Sequence, residues 1–173
     1  MLSVNIQARD INLKDIRKEH LPHIMSWYNK TEDFKYATGV YVPLSLEELN
    51  RRYREIILCN NEFFTGIYLN SGIMIGIIKG NVQYQNKNAV WLSSIVIDYI
   101  YQNKGYGRMA VELLFKHLKA KTQAISVYLS VVEENGKGRL FWIRQKFRVL
   151  KKMEKHLGIQ RNKHNIIIMY KRI

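Results

Sequence analysis

Residues 94–114, "SIVIDYIYQNKGYGRMAVELL", hold an apolar β-rich run, a short polar loop and the start of an amphipathic run, with two glycines and a lysine at the junction. Glycine weakens a helix, so Gly105 and Gly107 in a first turn imply that something approaches the backbone closely. A strand, a short loop and a helix start leave several N–H groups free at the positive end of a helix dipole. Such a junction binds phosphate. Lys104 and Arg108 add positive charge beside those donors, and neither glycine has a Cβ to obstruct an incoming oxygen.

Two familiar phosphate motifs do not account for these residues. A nucleotide P-loop needs Lys then Ser or Thr directly after its last glycine, whereas Arg108 and Met109 follow Gly107. "GYGRMA" satisfies the dinucleotide fingerprint in form, but that motif sets its first glycine in a tight turn right after the strand, and "DYIYQNK" separates Ile97 from Gly105. Glu133 and Glu134 lie 26 and 27 residues beyond Gly107, later than a ribose-binding carboxylate belongs.

Outward from the junction, strand and helix signals alternate along the whole chain. Tyr106, Met109, Ala110, Leu113, Leu114 and Leu118 recur at three and four, predicting a helix over 105–120 with one buried stripe. Upstream, "EFFTGIYL", "GIMIGIIKGNVQY" and "AVWLSSIVI", separated by "NSG" and "QNKN", read as an antiparallel meander. Residues 3–9 read as a first strand, and Leu21, Ile24, Met25 and Tyr28 as a helix ending in the loop-like stretch "NKTEDFKYATG". Ser45 and Glu48 have capping-box spacing before a helix whose buried face is Leu46, Leu49, Tyr53, Ile56 and Ile57. Downstream come a strand, "AISVYLSVV", a short helix over 136–146, and closing strands "FRVLKKM" and "HNIIIMYKR". The expected order is β, α, α, β, β, β, α, β, α, β, β, an α/β fold with four helices.

Composition sets the bounds. The 173 residues suffice for one domain, expected over 1–173. With 47% apolar and 12% aromatic residues the chain has a core to bury, which excludes a disordered polycation despite its formal charge of +14. That charge favours anionic partners. No recognised nucleic-acid motif accompanies it, although basic and aromatic residues mix in "RLFWIRQKFRVLKKMEKH". No run approaches the ~18 apolar residues of a membrane span, and "MLSVNIQARD" lacks a signal-peptide pattern, so a cytoplasmic location is expected. Cys59 stands alone, and His20, His23, His117, His156 and His164 have no metal-ligand spacing, so no metal is assigned.

The junction resembles the acyl-CoA-binding segment of the GNAT superfamily of N-acetyltransferases: a strand, then Gln or Arg, two residues, Gly, one residue, and Gly or Ala. Gln102, Asn103, Lys104, Gly105, Tyr106 and Gly107 fit that pattern, and the order of elements along most of the chain is also the family's. In "VVEENGKGRLFWIRQKF", Asn135 stands where the family's pantetheine-binding asparagine follows the fifth strand, and Gly138 where a small residue opens the next helix. The early section, "HLPHIMSWYNK" through "VPLSLEELNRRY", is similar to the branch containing ribosomal-protein and polyamine acetyltransferases.

The resemblance implies a single domain with a mostly antiparallel mixed sheet, splayed between its fourth and fifth strands. Acetyl-CoA would lie in the splay, held by main-chain groups of Ile95, Val96 and Ile97, by residues 102–108, and by Asn135, Gly138 and Trp142. Lys104, Arg108, Lys137 and Arg139, at two helix starts, would face its phosphates. The acceptor would be a primary amine of a small molecule or peptide, and homodimers are common in the family. Many members supply a carboxylate near the start of the fourth strand and a tyrosine that protonates the sulfur; here those positions hold Trp91 and Trp142.

An indole donates a hydrogen bond but is no practical acid. Asp98 is therefore a candidate base, with a turn-capping role as the alternative, and Tyr128 or Ser130, which share a strand face with Ser126, a candidate proton source for the sulfur. "WYNKTEDFKYATGVYVP" offers Trp27, Glu32, Asp33 and Tyr36 to a cation with an apolar body.

Overall fold

The structure, a computed structural model, describes residues 1–84, 88–157 and 162–173, without the side chains of 155–157, 162 and 163. The expected turn over 85–88 therefore lies outside the described residues except for Asn88, as does the side chain of His156. Strand β1 (Ile11–Asp15) leads through a 3-10 turn into α1 (Leu21–Tyr28), α2 (Thr31–Thr38) and α3 (Leu46–Leu58). The meander β2 (Glu62–Leu69), β3 (Met74–Gln83) and β4 (Ala89–Ile97) follows, then α4 (Tyr106–Thr122), β5 (Ser126–Val132), α5 (Gly136–Arg144), β6 (Arg148–Leu157) and β7 (Asn162–Arg172). They form one seven-stranded sheet in the order β1-β2-β3-β4-β5-β7-β6. Its β4–β5 pair is parallel and the other neighbours are antiparallel.

Each helix face follows from its apolar spacing. Leu21, Ile24 and Trp27 of α1, Phe34 of α2, and Leu49 and Ile56 of α3 pack on Phe64, Ile77 and Val96 at one face of the sheet. Ala110, Leu114 and Leu118 of α4 and Trp142 of α5 cover Val90, Leu92, Val127 and Leu129 at the other. The Ser45 hydroxyl accepts from the Glu48 amide at the start of α3, as its spacing predicts. Leu46 and Ile57, expected on the buried face of α3, are each 39% exposed.

Two elements differ from the reading of the sequence. The first strand is 11–15, because its register with β2 runs from Ile11↔Leu69 to Asp15↔Thr65; within 3–9 only Ile6 forms a bridge, to Leu13. Val4 is fully buried, and the Asp15 carboxylate takes the Val4 amide and the Ser3 hydroxyl, folding that segment back along β1. Residues 31–38, expected as loop, form α2 and make a fifth helix. Phe34 is its one fully buried residue, so the segment shows no helical stripe, and Gly39 closes it at φ +70°.

The feature that shapes the site is a β-bulge. Lys79 pairs with Ser94 and Gly80 with Leu92, leaving Ser93 as the extra residue of β4. A bulge bends its strand and increases the local twist. Gly80 permits the close approach there, since a Cβ would overlap the Trp91 carbonyl and lie 2.6 Å from the Phe63 ring.

Candidate active site

Beyond the bulge, β4 and β5 part. They pair at Ala89↔Ser126, Val90↔Val127, Trp91↔Tyr128 and Leu92↔Leu129, and at no later position among the described residues. Antiparallel ladders alternate the direction of main-chain groups from residue to residue. The Asp98 amide donates to the Ile75 carbonyl, so Val96 also faces β3, while Ile95 and Ile97 turn their main-chain groups into the gap. Val96, expected to offer its backbone to the ligand, is thus committed to the sheet. The Ile97 carbonyl accepts from Gln102 Nε2 at 2.9 Å, anchoring the loop to the end of β4. Across the gap, the Glu133 amide bonds the Asn165 carbonyl, and the same alternation turns Ser130 and Val132 toward β4.

The loop then presents its amides. Asn103 and Gly105 adopt φ of +59° and +84°, left-handed values that turn the chain sharply into α4. The first helical bond of α4 is Met109 N to Gly105 O, at 3.1 Å. The amides from Asn103 to Arg108 have no acceptor among the described residues. Six successive free donors at a helix start form an anion site made of backbone. Lys104 Nζ lies 5.7 Å from the centre of the Tyr101 ring, and Arg108 is paired with Glu112 at 2.8 Å. Tyr106 stands edge-on to Tyr101, and Gly107 lies against Phe141 and Ile97.

Asn135 caps α5: its Oδ1 accepts from the Gly138 amide at 2.9 Å, and a Cβ on Gly138 would lie 2.5 Å from Asn135 Nδ2. Gly138 is therefore the residue that lets Asn135 fold over its own helix. Lys137 is exposed and Arg139 half-buried at the same helix start. Trp142, expected against the ligand, is only 6% exposed and packs between Phe141 and Phe147 at ring distances of 4.7 and 5.1 Å. Its indole belongs to the core because α5 turns that face onto the sheet.

Asp98 is occupied by protein. Its carboxylate accepts from Trp27 Nε1 at 2.7 Å and caps the Ile100 amide at 3.3 Å, tying α1 to the end of β4. The carboxylate expected as a base thus also serves as a cap and a tie between elements, and Trp27, expected toward the acceptor, is 1% exposed. Replacing Trp27 with Phe removes one charge-assisted bond to a half-exposed carboxylate and shrinks a fully buried ring. We expect a loss of about 2 kcal/mol, read as a melting temperature lower by about 4–8 °C. An unchanged melting temperature would show that neither the bond nor the ring's volume adds to stability.

On the α1–α3 face, Tyr128 stacks on Tyr170 at 6.1 Å, and Ser130 is exposed two residues on. Tyr36 of α2 packs with Trp91, Val132, Ile166 and Ile168, which brings α2 over the gap. Glu32 and Asp33 are exposed on the first turn of α2, and Glu32 is paired with Lys35. The sequence reading missed the group that closes this end: Tyr41 stands 6.2 Å from His164, which contacts Glu134 at 3.3 Å. It also missed Ser93, whose signal was Gly80 inside the facing strand.

A mixed sheet that opens between parallel neighbours, beside a helix start with free amides, is the arrangement that the resemblance implies for an acyl-CoA-dependent transferase. Residues 21–147 match the family described as "Acetyltransferase (GNAT) family". The spermine/spermidine N(1)-acetyltransferase of Bacillus subtilis strain 168 is 41% identical over 125 residues, 72% of this chain and 79% of that protein. Spermidine N-acetyltransferase from Vibrio cholerae, solved with CoA and spermine, superposes with a TM-score of 0.82 at 19% identity, covering 94% of this chain and 95% of that one. The Salmonella typhimurium enzyme that modifies the N-terminal serine of ribosomal protein L7/L12 gives 0.83 at 17% identity, over 96% of both chains. These two likenesses show the fold.

The chain belongs to the GNAT acetyltransferase family. It is an N-acetyltransferase, and its acyl donor is acetyl-CoA.

Proposed function

We propose that the chain moves the acetyl group to a primary amine of a small molecule or peptide by direct attack, with the donor held in the gap between β4 and β5. The observation that carries this reading is the end of strand pairing at Leu92↔Leu129, next to the free amides of residues 103–108. Acetyl-CoA supplies an acetyl group activated as a thioester. In our reading the amides of Asn103 to Arg108 hold the pyrophosphate, with Lys104 close by. Main-chain groups of Ile95 and Ile97 hold the pantetheine arm, Asn135 Nδ2 adds a donor, and a β4 amide steadies the charge that develops on the thioester oxygen. The reading places the protein in the cytoplasm, where the lone Cys59 stays reduced.

The acceptor nitrogen must be neutral. For a lysine-like amine with pKa ~10.4, deprotonation at pH 7 costs about 4.6 kcal/mol, and for an α-amine near ~8 about 1.4 kcal/mol. With Asp98 engaged, the reading assigns most of the rate to positioning and backbone electrostatics. Tyr128 Oη or Ser130 Oγ passes a proton to the departing sulfur. A thiol of pKa ~8.5 leaves near neutrality without much help, so the loss on removing the acid is small for general acid catalysis. We expect Tyr128→Phe or Ser130→Ala to lower kcat about tenfold. Full turnover in both variants would leave neither as the acid.

The reading itself is tested by thiol release from acetyl-CoA against spermine, spermidine and peptides with free α-amines, polyamines being included because of the 41% identical relative. Release that depends on one class of amine supports it. Binding of acetyl-CoA, seen as a rise in melting temperature, with no amine-dependent release would instead make the chain an acyl-CoA-binding module.

A further inference from the structure

On the α1–α3 face of the sheet, at the bulge, a cavity of about 90 Å³ is walled by Tyr28, Arg52, Tyr53, Lys79, Ser93 and Ser94, among others. Ser94 is only 8% exposed, and its Oγ has no hydrogen-bond partner among the described residues. Lys79, its partner across the β3–β4 ladder, is half-buried and forms no ion pair among the described residues. Burial pulls the Lys79 amine below its ordinary value, against the pull of Glu62. Burial also pushes the Tyr28 phenol up to about 12, so it presents an O–H at neutral pH. Arg52 adds a second cation, shared with Glu48 at 2.9 Å, and no carboxylate lines the wall among the described residues.

We propose that this cavity binds a carboxylate, held by the Lys79 ammonium and the Ser94 hydroxyl. A half-buried ammonium and a buried hydroxyl without partners are each costly, and one small anion satisfies both through charge-assisted bonds. Ser93 belongs to the cavity wall and follows Leu92, the last described residue of β4 paired with β5, so the cavity borders the start of the gap. The carboxylate has two sources: one borne by the amine acceptor, or a free small acid. The first narrows the acceptor to amines that carry a carboxylate and rests on the acetyl-transfer reading; carboxylate binding itself does not. The cavity wall favours such an acceptor over a polycation, since it carries Lys79 and Arg52. Glu32, Glu48, Glu133 and Glu134 contact Lys35, Arg51 with Arg52, Lys152 and His164, while Asp33 on α2 is in no ion pair among the described residues.

The test is calorimetric titration of the full chain with acetate, without acetyl-CoA, followed by acetyl-transfer kinetics with β-alanine and with spermidine. We expect acetate to bind, Lys79→Met to weaken it at least tenfold and Ser94→Ala several-fold, with unchanged circular dichroism in both. A KM for β-alanine that rises at least tenfold in Lys79→Met relative to that for spermidine identifies the acceptor as the source. Acetate binding that needs Lys79, without that change in KM, identifies a free acid. No acetate binding, or binding that survives both substitutions, overturns the proposal. A chain that binds acetate through Lys79 but acetylates no amine leaves the cavity in place and removes the acetyl-transfer reading.

Discussion

We expect Gly105→Val to bind acetyl-CoA about a hundredfold more weakly than the parent chain, a loss of about 2.8 kcal/mol, while its fold persists. Gly105 sits at φ +84°, a conformation that costs an ordinary L-residue about 1–2 kcal/mol and a β-branched one more. No heavy atom stands within 4 Å of where its Cβ would be, so the fold meets strain and no collision. The melting temperature should fall by about 5 °C. The larger effect is on the ligand. Relaxing φ toward negative values turns the flanking amides away from one another, and charge-assisted bonds worth about 1.5–3 kcal/mol each are lost. Isothermal titration checks this, and an affinity within threefold of the parent would mean that residues 103–108 do not hold the pyrophosphate.

Gly80→Ala should lose at least about 3 kcal/mol of stability, or fail to fold. The position has no spare volume: a Cβ would overlap the Trp91 carbonyl, which is backbone, and press on the Phe63 ring at 2.6 Å. Phe63 is fully buried, so its ring has nowhere to go. Relief requires β3 and β4 to separate beside the bulge at Ser93, where the gap begins. Thermal denaturation should show a melting temperature lower by about 6–12 °C. Gly107→Ala is the internal comparison, since there a Cβ meets Phe141 at 3.4 Å and Ile97 at 3.6 Å, ordinary contacts. It should melt at or slightly above the parent because alanine favours the helix. Equal melting of all three chains would refute the account of the bulge.

Both predictions turn on glycines, yet only one of the two was legible in its role. Gly105 lies in a local pattern, Gln102 to Gly107 at a strand-to-helix junction, and local patterns survive in one dimension. Gly80 sits in a run that reads as plain strand, and its meaning depends on a ring and a carbonyl from two other strands. The same division separates α4 from α2. Tyr106 to Leu118 carry an apolar stripe that any sheet would accept, whereas residues 31–38 have one buried side chain and are helical because α1 and β4 support them. A helix of eight residues does not hold itself together in water.

Within the site, the helix start and its cationic neighbours followed from the order of residues along the chain, and Asn135 from the resemblance to the family. The separation of Val96 from Ile95 and Ile97 did not, because the direction of a strand's main-chain groups is set by its ladder partner. Asp98 read as a base or a turn cap; the cap is present, and the bond that Trp27 donates to it from 71 residues away has no local sign. The order of residues by itself determined the periodic elements and the glycine turn that opens α4, since both are written in spacings of a few residues. Only the tertiary structure decided where β4 leaves β5, which carboxylates are spent and which lysine is left facing a cavity. Those outcomes are pairings between distant segments, and a hydrogen bond across a sheet or a cavity wall has no local signature.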